Sequence, residues 1–351
     1  MILGTRDFFG FERLHYHPRS GAWATGIRQV IEASSDGYRA PDVAAINGYL
    51  SGERVVGHTV LRDIWAVPPG HALIETERGL DVRPVPCEPR QGDLEAVLRA
   101  SLQRALNSGR RVALALSGGL DSALLLGMLR QMDALHDVPV YILVTDMPDY
   151  CERDAALEVA RQMQARVVLV HASERDFVAT LSHTTHIVEE PIFNLHPVAK
   201  LLLAKAMADD GVELAITGDG ADQVLRRDRS ANYLPLCKAL FTAASVILHP
   251  PFVDADVVAH LTAIPPDPTK QCLRELGASF ALPDRLVHGP KRGRLAPAMD
   301  LGALLDRERF DALAAGLGIA APTLQSDPER MLWTTLILTL DHLGATPSRH
   351  A

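Results

Sequence analysis

Two short stretches, SGGLDS at 117–122 and TGDGADQ at 217–223, set aspartates among glycines and hydroxyls. Paired glycines let backbone N–H groups come close to a ligand. A glycine turn that opens a helix favours an anion, usually phosphate. The first stretch lacks the lysine of the GxxxxGK[ST] phosphate loop and has Asp121 where the anion would lie. An aspartate facing phosphate needs a cation between them, so Asp121 points to Mg²⁺. Asp219 and Asp222 offer further carboxylates in the second stretch. Two acidic turns around one anion fit Mg²⁺-bound ATP, with pyrophosphate retained in the glycine cradle.

Such turns need elements to hold them. Val112–Leu116 (VALAL) is an apolar run of buried-strand length, and Leu124, Leu125, Met128 and Leu129 recur at helical spacing. A strand, the SGGLDS turn and a helix beginning near Asp121 or Ser122 therefore follow in order. The alternation continues through VPVYILV, ERDAALEVARQM, RVVLVH, HPVAKLLLAKAMADDG and ELAIT, which runs into GDGADQ. This predicts an α/β fold with a doubly wound, mostly parallel sheet. Both polar turns fall at the carboxyl ends of strands, where such sheets bind ligands. Residues 1–90 carry β-type patterns instead: VVGHTVL, DIWAVPPGHALIE and GLDVRPVP, with a turn at Pro68–Pro69–Gly70. The breakers CEPRQG precede the amphipathic DLEAVLRASLQRAL, so the expected boundary separates a β-rich segment, 1–90, from a domain over 91–351. DPERMLWTTLILTLDHL reads as a packed amphipathic helix near the end.

The chain has 351 residues, 47 % hydrophobic and 22 % charged, which is globular composition. A net charge of −8 argues against a dedicated nucleic-acid binder, although Arg226–Arg227 and Lys291–Arg292–Arg294 are short basic candidates. Charges come too early in MILGTRDFFGFERLHYH for a secretory segment, and no 18-residue apolar window predicts a membrane span. Cys87, Cys151, Cys237 and Cys272 are scattered and form no CxxC pair, as expected of reduced thiols in a cytoplasm.

SGGLDS resembles the pyrophosphate loop of the N-type ATP pyrophosphatases, a HUP-like class. Together with TGDGADQ it is similar to the synthetase domain of the asparagine synthetase family. ERDAALEVA resembles that family's adenylate-site helix, PPFVD its substrate-side motif, PKRGRLAP its lysine-bearing loop, and MLWTTLILTLDHL its closing helix. The resemblance implies an ATP-dependent ligase that adenylates a carboxylate, releases pyrophosphate and transfers the acyl group to an amine or ammonia. It assigns pyrophosphate to Ser117, Gly118, Gly119 and Ser122, and Mg²⁺ to Asp121 and Asp222. Leu116, Val144, Thr145 and Gly218 match positions lining adenosine. Lys291 matches the family's catalytic lysine, a fixed cation for the oxyanion of the second step. Asp219 matches a position that handles the nucleophile's proton; its other reading is a turn-stabilising aspartate. Glu152 reads equally as a nucleotide contact or a solvated first-turn glutamate, and His196 as a substrate contact or a capping residue. Lys200 and Lys205, on a helix, read as solvated or snorkelling.

GTRDFFGFERLHYH, Tyr49–Leu50 and AVPPGH resemble the second half of the family's glutaminase domain. The chain begins Met1–Ile2–Leu3, without the family's amino-terminal cysteine nucleophile, and no thioester can form without one. The segment is therefore expected to be an inactive scaffold remnant, with a partner protein that completes it or delivers substrate as a further expectation. The second motif also departs from the family: Gln223 replaces a glutamate, and Arg226 and Arg227 replace glycines. These changes fall where the acceptor would bind. They favour a small-molecule or peptide carboxylate in specialised metabolism, as in the β-lactam synthetases and lasso peptide macrolactam cyclases. The alternatives are an asparagine synthetase using free or partner-supplied ammonia, and a non-catalytic nucleotide-binding assembly subunit.

Overall fold

In a computed structural model, the structure describes residues 1–34, 39–53, 55–147, 150–229, 233–289, 301, 304–305, 307–319 and 327–345. The chain divides into two compact units. The first gathers Met1–Pro86, Arg175–Val198 and Ala298–Ala351; the second gathers Cys87–Glu174 and Ala199–Pro297. The expected division at 90 and 91 runs along the sequence, whereas these units interleave. The reason is a shared core: Ile27, Val30, Ile46 and Leu61 pack in one cluster with Phe310, Trp333, Leu336 and Leu340.

In the first unit, β1 (Ile2–Thr5), β5 (His71–Thr76) and β6 (Gly79–Pro84) make one antiparallel sheet in the order β1-β5-β6. A second antiparallel sheet has β2 (His15–Tyr16) between β3 (Trp23–Ala24) and β4 (Trp65–Ala66). Pro68–Pro69–Gly70 turns the chain from β4 into β5 as expected. VVGHTVL forms no strand and makes only an isolated bridge from each of His58 and Leu61. Helices occupy Ile27–Ala33 and Val43–Leu50, where the sequence reading had β-type patterns and turns. Their signal is present at helical spacing: Ile27, Val30 and Ile31 face the core, as do Ile46 and Tyr49.

The second unit is built on β7 (Val112–Ala115), β8 (Val140–Thr145), β9 (Val167–Ala172), β10 (Leu214–Ile216) and β11 (Ile247–His249). All pair in parallel, in the order β11-β10-β7-β8-β9. Helices Leu94–Leu106, Leu120–Gln131 and Arg153–Gln162 alternate with the strands. The apolar residues Leu124, Leu125, Met128 and Leu129 are fully buried. This is the α/β, doubly wound parallel arrangement expected. Successive strands run outward from β7 to β9, and the order then reverses to β10 and β11. The reversal opens a crevice between the carboxyl ends of β7 and β10, where doubly wound sheets take their ligands.

Candidate active site at the strand reversal

SGGLDS follows β7 and TGDGADQ follows β10, so the register that pairs Ile216 with Leu114 sets the two turns side by side. Two glycines make this approach possible. A Cβ on Gly218 would come within 2.7 Å of the Ser122 backbone nitrogen and 3.0 Å of the Asp121 Cβ. One on Gly118 would meet Ala155 at 2.9 Å and Glu152 at 3.2 Å, so the helix Arg153–Gln162 lies directly on the first turn. Gly220, at φ +93°, begins the short helix Ala221–Arg226 and faces Val253 of the PPFVD stretch. Asp254 of that stretch is used structurally: it caps Ala255–Ala263, pairs with Arg104 at 2.6 Å and accepts from Ser101.

The first turn leads into the helix Leu120–Gln131, with Gly119 at its N-cap and Asp121 in its first turn. Ser122 Oγ accepts from the Ser117 N–H at 3.0 Å and lies 2.9 Å from Ser117 Oγ. Ser117 Oγ accepts from the Gly119 N–H at 3.2 Å. The Gly118 N–H donates to Glu152 Oε2 at 3.3 Å. Glu152 is thus neither plainly solvated nor remote: its carboxylate lies on the glycine turn. Leu116 and Val144 are buried beside the strand ends, and Thr145 donates to the Met147 carbonyl.

Asp121 and Asp222 converge on one cation, the Lys270 ammonium. Nζ donates to the two Asp121 oxygens at 2.8 and 2.6 Å and lies 3.2 Å from Asp222 Oδ1, an ionic contact rather than a hydrogen bond. The side chain of Lys270 is 9 % exposed. Its backbone adopts φ +59°, a conformation costly for lysine, at the N-cap of Gln271–Ser279. That strain is held by Asp267, whose main-chain N–H donates to Leu225 and whose carboxylate accepts from the Cys272 N–H. Burial alone would raise the Asp267 pKa, but the Gln271 and Cys272 amides and the Thr269 hydroxyl outweigh it and hold it low. Gly277 then seats the helix against Leu120, beside the Asp121 turn. Lys270 is one of five lysines in the chain, and the sequence reading gave it no role. The available signal was a lysine ending the turn PDPT before an amphipathic helix.

Lys200 is a correction. It is not a solvated or snorkelling side chain but pairs with Asp219 at 2.7 Å, the two being 18 % and 12 % exposed. Lys205 is exposed, as expected. Arg226 lies 3.6 Å from Asp222 Oδ1, while Arg227 turns to the carbonyls of Val224, Leu261 and Ile264. Burial first, and the Asp219 charge second, push the buried Cys237 thiol well up, which leaves no reactive thiolate there. The His196 N–H donates to Asn194 Oδ1 at 3.0 Å, at the start of the helix His196–Asp209. Lys291 lies outside the described residues.

The donor set fits Mg²⁺ bound together with phosphate. Among the described residues no group of three or more potential ligands gathers, so an all-protein metal cage is not formed. Two carboxylates on one cation position suffice for Mg²⁺, which keeps waters and substrate phosphates as its other ligands.

Residues 93–227, which contain both turns, match the asparagine synthase family. That match covers less than half of the chain. SGGLDS, ERDAALEVA and TGDGADQ lie inside the matched segment, whereas PPFVD, PKRGRLAP and MLWTTLILTLDHL lie beyond it. Amidase chry2 of Gibberella zeae is 26 % identical over 255 residues, which cover 63 % of this chain. The chain spans only 37 % of that protein's length. Among solved structures, an NMN synthetase from Francisella tularensis aligns with 74 % of this chain and 96 % of its own, at 14 % identity and a TM-score of 0.37. An NH3-dependent NAD synthetase from Campylobacter jejuni subsp. jejuni aligns with 74 % of this chain and 97 % of its own, at 16 % identity and a TM-score of 0.36. The fold assignment rests on the strand order, not on these two alignments.

Proposed function

We propose that the chain is an ATP-dependent amide-forming ligase that adenylates a carboxylate with release of pyrophosphate and then transfers the acyl group to an amine or ammonia with release of AMP. One observation carries the reading: two aspartates from separate turns converge on a single cation position at the strand reversal, beside a glycine turn. Asp121 and Asp222 would hold Mg²⁺ there, which offsets the charge growing on the departing pyrophosphate. Ser117, Gly118, Gly119 and Ser122 would donate to that pyrophosphate once it displaces their internal contacts. Leu116, Val144, Thr145 and Gly218 would line the adenosine, and Lys291 would face the acyl oxyanion. Asp219, held by Lys200, would accept the proton of the attacking amine. The retained carboxylates and serines argue against a purely structural subunit.

The substrate is proposed as a small-molecule or peptide carboxylate of specialised metabolism, with the amine on the substrate or on a second molecule. Support comes from Gln223 and the two arginines that follow the second turn. Action in the cytoplasm, with a partner that completes the first unit or delivers substrate, is proposed alongside. Free Cys87, Cys151, Cys237 and Cys272 are consistent with a reducing compartment, and no described helix is long and apolar enough to cross a membrane.

The test is pyrophosphate release from Mg-ATP across a panel of carboxylates and peptides, including aspartate with ammonia. Substrate-dependent pyrophosphate that disappears in Asp121→Ala supports the reading. Release of ADP and orthophosphate instead overturns it.

A further inference from the structure

The groups that a magnesium–pyrophosphate unit would engage are already engaged by this chain's own side chains. On the cation side, the Lys270 ammonium lies 2.6 Å from Asp121 Oδ2 and 3.2 Å from Asp222 Oδ1. A Mg²⁺ bridging the same carboxylates would sit about 2.1 Å from an oxygen of each. These positions overlap, and two cations cannot share them. On the anion side, the Gly118 N–H that would face a phosphate oxygen donates to the Glu152 carboxylate at 3.3 Å. Lys270 is buried and set by a left-handed backbone, and Glu152 lies one residue before the helix that packs on Gly118.

We infer that Lys270 and Glu152 are internal stand-ins for the metal and the phosphate, and that they make binding of metal and nucleotide interdependent. Metal alone must displace an ammonium that two carboxylates hold, with no phosphate to receive it. Nucleotide alone must displace a carboxylate from Gly118, while its own charge meets the carboxylates of Asp121 and Asp222 with no metal between them. Arriving together, the metal satisfies the two aspartates, and the released ammonium faces the incoming phosphates. The site thereby discriminates against free Mg²⁺ and against metal-free nucleotide. The inference rests on the proposed Mg-ATP site and adds the two residues that gate it.

Two binding measurements on the full chain test it. Free Mn²⁺, followed by its electron paramagnetic resonance signal, serves as the metal probe. Lys270→Met is expected to bind Mn²⁺ alone at least tenfold more tightly than the wild type, whereas Lys270→Arg, which keeps the internal cation, stays weak. The α,β-methylene analogue of ATP in the presence of chelator serves as the anion probe. Glu152→Gln is expected to bind it at least fivefold more tightly than the wild type by calorimetry. If K270M does not fold, the E152Q arm decides. Unchanged affinities in folded variants, with wild type still binding the Mg²⁺–analogue complex, overturn the inference and leave the ligase reading standing. Failure of wild type to bind that complex overturns both.

Discussion

Both compact units bury polar groups, but they use them differently. In the first, buried polar side chains are spent on the fold itself. Arg6 donates to the Glu12 and Val67 carbonyls, Glu189 accepts the Ile27 and Arg28 N–H groups at a helix start, and Tyr49 Oη joins Ile192 and Thr335. Most of these partners are main-chain groups, which no ligand can replace without unmaking the fold. In the second unit the half-buried charges at the strand ends pair with one another: Lys270 with Asp121 and Asp222, Lys200 with Asp219. An ion pair between side chains can be exchanged for a ligand ion of the same sign. The contrast supports placing the proposed chemistry in the second unit.

The sharpest way to break that contrast is Asp121→Asn. It removes a carboxylate from the cation position, so pyrophosphate release is expected to fall at least ~10³-fold. The unit-specific reporter is built in, because Trp23, Trp65 and Trp333 all belong to the first unit. Their fluorescence should be unchanged in this variant; a shifted spectrum would show that the site and the first unit are not separable. Gly218→Ala tests packing instead of charge. Its methyl group would press on the Ser122 backbone nitrogen, 2.7 Å away, which cannot yield without moving the first turn. A loss of roughly 10²-fold in nucleotide affinity is expected from such a displacement. Wild-type affinity would show that the turns are looser than the register implies.

What the sequence disclosed and what it withheld follow from this same contrast. The parallel sheet and both turns were legible because strand, glycine turn and helix are local patterns, and the strand-end rule puts the turns together without knowledge of long-range contacts. The pairing of Lys270 with Asp121 was not, since 149 residues separate the two and the intervening geometry depends on a left-handed lysine. Lys200 was misread because its helix is apolar on most sides, so nothing local said which way the ammonium points. Residues 1–90 were read as β-rich as a whole, with no helix singled out, yet Ile27–Ala33 and Val43–Leu50 are helices whose inward faces depend on residues from 310 to 340. Packing with distant sequence decided between the two periodicities.

A smaller effect separates the units by a structural residue. Tyr49→Phe removes a hydroxyl within 2.9 Å of both the Ile192 carbonyl and Thr335 Oγ1, leaving a buried acceptor short of a donor. The expected cost is about 1–3 kcal/mol in tryptophan-monitored denaturation. Pyrophosphate release measured below the unfolding transition should be unaltered, and a large loss would place Tyr49 in the chemistry.

The gentlest discriminator is pH. Burial first, and then the Arg13 charge, bring His15 down to about 3, and its Nδ1–H donates to the Thr25 carbonyl at 3.0 Å. Burial and the neighbouring His186, whose ring stacks on it at 4.2 Å, bring His342 down to about 4. For these groups the unfolded chain takes up protons near 6.5 and the folded chain does not, so their stabilising effect is present above 6.5. It is lost as pH falls through the window from 6.5 towards 4 for His342 and towards 3 for His15. Glu189 runs the other way: burial raises its pKa despite Arg13 and the helix amides, so stability falls as pH rises from 4.5 towards its folded value. Between pH 7 and 6 the histidines dominate, and His15 alone should cost the first unit under about 1 kcal/mol. His15→Gln should flatten the pH slope of the tryptophan-monitored midpoint over that range. A slope that persists unchanged would move its origin to His342, His186 or the second unit's His249, which burial also lowers.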